Sequence, residues 1–530
     1  MGIKYVALAT AIFSSLTICT AQAAEPKHGG ILHIYHRETP PSLSIHEEAT
    51  FSVNVPAMGI FNNLVIYDQH KPQTSVDTIV PELATSWAWD KANTALTFKL
   101  RSDVKWHDGK PFTAKDVKCT IDLLQGKAQD KFRKDPRKGW YEFVNDVTVN
   151  GDTEVTFHLK RPQPSLLAML ASGYSPIYPC HVPAAQMRTH PIGTGPFKFV
   201  EMKQNESIKL VKNPDYWKKG LPYLDGIEYT IIKNRATAVL AFVAGKVDMT
   251  FPTEMTAALV KDIKSQDKTA ICEIKPINVN TNLIVNLESP PFNNPDLRKA
   301  MMLALDRKAF IDIILQGQGD QGGSLLPGPE GVWGMPPDML KTIAGYGDVK
   351  KDRDEARAIM TKLGYSADKP LKIKVSTRNL ATYRDPAAVL IDQLKSIYID
   401  ADLDPVESSQ WFAKVARKDY QVGLNLTGNG IDDPDQAFYE NYSCGSERNY
   451  THYCNKELEK LFDQQSAETD LAKRKKLVWE IDKKIQEDGA RPILFHARTG
   501  TCWKPYVKNM TIENNSAYNG YRFEDLWLDK

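Results

Sequence analysis

Residues 80–117, VPELATSWAWDKANTALTFKLRSDVKWHDGKPFTAKDV, narrow the fold more than any other stretch of the chain. Apolar and polar residues alternate over 84–89 and again over 95–100, about a polar DKANT turn, which predicts an antiparallel hairpin with one buried face. Asp108-Gly109 then turns the chain, and Pro111 stops it short of a new element. Thr113, with Asp116 three residues on, forms the Thr-x-x-acid pattern that caps the start of a helix. Trp106 is expected to pack at the end of the second strand, and His107 to lie on the surface beside the turn. The Trp-His-Asp triplet therefore reads as fold rather than chemistry.

Similar text surrounds this segment. GGILHIYHRE predicts a strand, and FSVNVPAMGIFNNLVIYD a helix whose apolar face is Val55, Met58, Ile60, Phe61 and Leu64. Hairpins are expected at DVTVNGDTEVTFHLK and at GPFKFVEMKQNESIKLVKN, with a short helix near 165–171 between them. From about Asn280 the pattern changes. A strand, helices beginning near Asn294, a helix DRDEARAIMTKLGY, a strand LKIKVSTR, a helix starting beside Pro386 and a strand YQVGLNLTG follow as βαβ-type text with parallel-sheet character. A charge-rich helix at LAKRKKLVWEIDKKIQEDG closes this block, with Leu477, Val478 and Ile481 facing inward. PILFHARTGTCW and GYRFEDLW read as strands returning to the first block.

Lys and Arg total 67 against 65 Asp and Glu, so charge gives no footprint for a nucleic acid. Lys4, an apolar run from Tyr5 to about Cys19, and Ala21-Gln22-Ala23 form the pattern of a secretory signal, with cleavage expected near Ala23 or Ala24. Ile18 before Cys19 argues against lipidation. No other apolar run reaches the roughly 20 residues of a spanning helix, and the expected product is a soluble protein of the periplasm. Export permits disulfides among Cys119, Cys180, Cys272, Cys444, Cys454 and Cys502. Cys444 and Cys454, closing a short polar loop, are the expected pair. A metal site there with His452 lacks the usual ligand spacing, and the partners of the other four stay open.

The segment 80–117 resembles the hallmark of extracellular solute-binding proteins of family 5, the peptide, nickel and opine binders of ABC importers. GTGPFKFVEMKQNESIKLVKNPDYW, AVLAFVAGKVDM and NLESPPFNNPDLRKAMMLALDRKAFID are similar to later family segments in the same order. The resemblance implies an α/β fold of two lobes joined by a hinge, with an extra subdomain in the first lobe. It implies a layout of signal peptide 1–23, first lobe 24–60 and 192–280, extra subdomain 61–191, second lobe 281–489, and a first-lobe return over 490–530. It also implies a solute held between the lobes, no cofactor, no catalysis, and delivery by a monomer to two permease subunits served by ATPases.

Peptide binders of this family place an Asp for the ligand's ammonium before an Asp-Pro pair. In LTGNGIDDPDQAFYENYSC, Asp433-Pro434 matches that pair, while Gly430, or Asn429 with a one-residue shift, stands where the anchoring Asp would be. Asp432 is the nearest substitute. Arg378 and Arg384 flank NLATY between a strand end and a helix start, where the resemblance implies a ligand-facing arginine, and a guanidinium suits a carboxylate. Tyr383 and Trp411 are candidate aromatic walls. His46, after the first strand, and His496 are candidate ligands for a metal chelate.

The alternatives are a binder of a non-peptide solute (nickel chelate, opine or sugar), a sensor that presents its ligand to a membrane receptor, and an exported hydrolase. No G-x-S-x-G, H-E-x-x-H or Walker string supports the last. Gly317–Gly322 matches G-x-G-x-x-G but follows helical text, not a strand, so it reads as a loop.

Overall fold

The computed structural model describes residues 1–2 and 25–530, so the expected export signal lies outside the described residues. No helix among the described residues is long and apolar enough to cross a membrane.

The 80–117 segment sets one sheet. Strands Ala84–Trp89, Ala95–Leu100, Glu154–Leu159 and Val144–Val149 lie in that order, all antiparallel. Helix Ala114–Leu124 covers it through Ala114, Val117, Ile121 and Leu124, the three-and-four spacing of one helical face. The Thr113 N–H donates to the Asp116 carboxylate at 2.9 Å. That carboxylate also accepts the Cys180 N–H at 2.9 Å, so one side chain both starts the helix and ties it to a distant loop. Asp116→Ala should cost about 2 kcal/mol, because it orphans two backbone donors; urea denaturation measures it. Trp106 is buried, and Gly109 supplies the positive φ of the turn at +89°.

His107 corrects the sequence reading. Its Nε2 donates to the Gly195 carbonyl at 3.0 Å, and its Nδ1 accepts the Gly193 N–H at 3.3 Å. Burial holds its pKa down to about 4. It is a neutral clasp between the hairpin sheet and residues 193–195, a partnership across 86 or more residues that no local pattern displays.

The second sheet runs Ile31–His36, Gly226–Ile231, Ser207–Lys212, Phe197–Lys203, with the first pair parallel and the rest antiparallel. The helix expected from Phe51 onward ends early, at Ala57. Its last turn tightens at Met58–Ile60, and the chain resumes as strand Val65–Tyr67. Gly195 takes the Ile60 carbonyl with its own N–H at 2.9 Å, and every residue of 51–67 is buried, so tertiary packing overrides the helical period.

Two long strands, Ile271–Val285 and Ile493–Trp503, join this part to the rest. They pair antiparallel from Ile271↔Trp503 to Pro276↔Arg498, shift register, and continue from Asn280↔His496. Before the shift their side chains, Ile277, Cys502 and Trp503 among them, enter the first core. Beyond it Leu283, Val285, Leu494 and Phe495 enter a second core. There Ile271–Val285 pairs with Val422–Gly428, which lies parallel to Leu371–Arg378, itself parallel to Ile399–Val406. The chain therefore passes between the two lobes on this pair of strands, which is the geometry of a hinge.

Two further expectations change. Helix Ala381–Lys395 starts five residues before Pro386, which sits inside it. GYRFEDLW forms only the short strand Trp527–Leu528; Arg522 within it is held instead by the buried Glu82 carboxylate at 2.7 Å. All six cysteines among the described residues are paired: Cys444–Cys454, with Cys119–Cys180 and Cys272–Cys502 filling the pairings left open.

Candidate functional site

Two parallel strands end at the junction of the lobes, Ile31–His36 in the first and Leu371–Arg378 in the second. In open α/β sheets, ligands bind outside such carboxyl ends. The residues at these ends are Arg37, Glu38 and Arg378. Arg37 and Arg378 border a cavity of about 330 Å³ lined from both lobes and from both crossing strands, and Glu38 lies behind them.

Its wall mixes charged and apolar groups: Arg37, Arg235, Arg378 and Arg448 with Glu254 and Asp385, beside Ile277, Val279, Ile314, Leu315, Leu426 and Phe495. Arg37 donates to Glu254 at 3.0 Å, Arg235 donates to the other Glu254 oxygen at 3.3 Å, and the Arg37 guanidinium lies 5.1 Å from the Phe251 ring centre. Arg448 is paired with buried Glu440.

Arg378 spans the lobes. Its Nη2 donates to Glu38 Oε1 at 2.5 Å, its Nη1 to the Tyr383 hydroxyl at 2.7 Å, and its Nε to Ser408 at 3.1 Å. Burial alone would raise the Glu38 pKa, but Arg378, then Arg37, outweigh it and hold the carboxyl at about 2. The same ion pair raises the Arg378 pKa against its own burial. A second interlobe pair, Arg235 to Asp385 at 3.8 Å, lies nearer the rim.

Of the residues singled out in the sequence, Arg378 and Tyr383 line this cavity. The others do not. Arg384 points outward and donates to Asn379 at 3.2 Å. Trp411 is wholly buried in a small core with Ile284, Val406 and Val415, so it is packing and not wall. His46 packs edge-on to Tyr178, donates to the Pro176 carbonyl at 2.8 Å, and is held neutral by burial, with a pKa of about 3. His496 likewise bonds the Gly323 carbonyl at 2.9 Å. Both histidines are buried away from the cavity, and no group of three His, Cys, Asp or Glu among the described residues is placed to hold a metal ion.

The TGNGIDDPD stretch is also turned to structure. Asn429 is buried against Asn278, at 3.4 Å. Asp433 caps helix Pro434–Asn441 through the Asp435 N–H at 3.0 Å and pairs with Arg474 at 2.8 Å. Asp432 accepts the Val332 N–H at 3.1 Å, and burial pushes its pKa up to about 7. Gly430 directs its N–H to Gln436 at 2.6 Å, and a Cβ there would lie 2.8 Å from Ser172 Oγ.

Sequence reasoning missed Arg37, Glu38, Arg235, Glu254 and Arg448. The first two had a readable signal, being the last residues of the predicted strand text GGILHIYHRE, of which the structure keeps Ile31–His36 as strand. Arg448 sits inside the loop closed by Cys444–Cys454, which also carries Tyr450 to the cavity.

Among known proteins, the model for bacterial extracellular solute-binding proteins, family 5 (middle), matches residues 78–449, well over half of the chain. The chain belongs to this family. The chain is similar to the oligopeptide-binding protein AppA of Bacillus subtilis, 27% identical over 98% of this chain and 95% of its own. The dipeptide-binding protein of Escherichia coli is 24% identical over 89% of each chain. The periplasmic binding protein DppA of Helicobacter pylori, solved with the peptide STSA, superposes with a TM-score of 0.82 at 21% identity, over 95% of this chain and 99% of its own. This likeness shows that the two chains share one fold over nearly the whole of this chain.

Proposed function

We propose that this protein captures a short peptide or peptide-like solute between its lobes and hands it, as a monomer, to two permease subunits of an ATP-driven importer. The observation that carries the reading is a cavity lined at once from both lobes and sealed by interlobe ion pairs. A solute stabilises the closed state only through contacts it makes to both sides, so such a cavity couples occupancy to shape. Release then needs only reopening about the two crossing strands, and no bond of the solute is broken. Oligopeptide and dipeptide relatives support the ligand class, and family membership supports an extracytoplasmic place of work.

Thermal shift of the purified mature protein against pooled di- to nonapeptides tests this. Ligand at about 100 times its Kd should add about 2.7 kcal/mol, seen as a rise of several degrees in Tm. No rise with any peptide pool, or sustained hydrolysis of a peptide, would overturn the reading.

A further inference from the structure

The solute cavity has a neighbour. An outer chamber of about 710 Å³ lies beside the loop closed by Cys444–Cys454, lined from the first lobe by Glu47, Arg133 and Lys134 and from the second by Lys418, Glu447 and His452. Half-exposed Arg133 marks it as open to solvent. Among the described residues, Ala49, Phe412, Arg448 and Tyr450 line both this chamber and the inner cavity of about 330 Å³. A single layer of side chains therefore parts the two.

Three of these four have little to move. Arg448 is ion-paired with buried Glu440, Tyr450 is buried in the small core around Trp411, and Ala49 carries only a methyl group. Phe412 is different, since it lies partly exposed at the edge of that core. On helix Ser408–Ala416 the core side chains are Trp411 and Val415, four apart, while Phe412 and Ala416, also four apart, form the face toward the outer chamber.

The ring meets a cation from each lobe. Lys134 Nζ lies 5.5 Å from its centre and the Arg378 guanidinium 5.7 Å, both within reach of cation–π attraction. Closure therefore seats the ring between the lobes, where it fills the space beside Ala49.

The inner volume sits at the low end of the roughly 300–1,000 Å³ typical of small-molecule sites, and the rim at Asp385 is spanned by its pairing with Arg235 at 3.8 Å. Each residue added to an extended solute advances its end by about 3.3–3.6 Å, so a chain that already fills the cavity next meets the ring. Beyond it, charges are largely engaged: Arg133 and Lys134 by Glu48, Glu47 by Arg188, and His452 by Glu288. The outer chamber offers room without demanding a particular charge.

We propose that Phe412 sets the length of the solute: short peptides stop against its ring, and removing the ring joins the two chambers and admits longer ones. This rests on the peptide reading above and deepens it.

The test takes the di- or tripeptide best retained by the mature protein in native mass spectrometry and extends it, one residue at a time and at either end, to eight residues. Calorimetry compares the series on the unaltered protein, Phe412→Ala and Phe412→Tyr. The unaltered protein should bind the short parent about tenfold or more tighter than the longest extensions, and Phe412→Ala should bring that ratio to within about threefold. Phe412→Tyr keeps the wall and should keep the ratio. A ring that served packing alone would, when removed, weaken all lengths alike, so an unchanged ratio in Phe412→Ala overturns the inference. Equal binding of short and long peptides by the unaltered protein also overturns it and leaves the peptide reading standing. Binding of no peptide at any length overturns the peptide reading, and the inference falls with it.

Discussion

Arg378→Met should lower solute affinity by about a hundredfold or more while moving the Tm of the unliganded protein far less. Removing one partner of a buried ion pair costs about 3–5 kcal/mol, because the other charge is stranded. Here the stranded group is Glu38, whose side chain is 5% exposed where Arg378 of the other lobe meets it. Opening returns Glu38 to water, so the cost falls on the closed state and is subtracted from ligand-driven closure. Calorimetry gives the affinity and small-angle scattering the compaction on binding. A Glu38→Gln/Arg378→Met double variant removes both charges and should recover part of the loss, which a double-mutant cycle quantifies. Unchanged compaction and affinity in Arg378→Met would sink the latch.

The same pair fixes a pH dependence. Glu38 has its pKa depressed from 4.5 to about 2 in the closed form, since the arginines outweigh its burial. A depressed carboxyl contributes its full stabilisation above its ordinary value and loses it as pH falls through the depressed one. Closure should therefore be unaffected by this group from neutral pH down to about 4.5, and weaken between about 4.5 and about 2.

Local patterns were legible where a few neighbouring residues decide the outcome. The hairpin 84–100 and the Asp116 cap needed only alternation and one side chain within reach, and both stand as read. Adjacent residues made the strand end and helix start around Arg378 readable, and the family resemblance, not local pattern, implied that an arginine there faces the ligand. The remaining cavity arginines depend on meetings between distant segments. Arg37 finds Glu254 across 217 positions, and Arg448 reaches the cavity by way of a disulfide loop. No single-sequence signal separates such meetings from surface charges.

Residue type also misleads where it serves two purposes. Trp411 suits a crevice wall and a core equally, and its tertiary neighbours decide the matter: Ile284, Val406 and Val415 enclose it completely. His46 reads as a ligand only while Pro176 and Tyr178, 130 and more residues on, are out of view. The acids of TGNGIDDPD drew attention as ligand anchors, yet their partners, Arg474 and the Val332 N–H, lie 41 and 100 positions away. In each case the sequence names the group correctly, and the tertiary partner assigns its work.

Removing Cys272–Cys502 and removing Cys444–Cys454 should have opposite profiles. In the chain-entropy account a disulfide stabilises by restricting the unfolded chain, increasingly so for longer loops. The first bond spans 230 positions and the second 10, so their removal should cost about 5 and about 3 kcal/mol respectively. In the native state the order reverses. Cys272 and Cys502 face each other within the continuous ladder Ile271–Pro276 against Arg498–Trp503, whose backbone bonds hold the crossing strands without the sulfurs. Cys444–Cys454 instead closes an irregular loop that brings Arg448 and Tyr450 to the solute cavity. Cys272→Ala/Cys502→Ala should therefore show the larger drop in denaturation free energy with solute affinity nearly kept, whereas Cys444→Ala/Cys454→Ala should unfold later yet bind about tenfold or more weaker. Guanidinium denaturation and calorimetry on the two variants decide it. If the 272–502 variant were the one to lose affinity, the crossing strands would need their disulfide to transmit closure, and the backbone ladder would not suffice as the hinge.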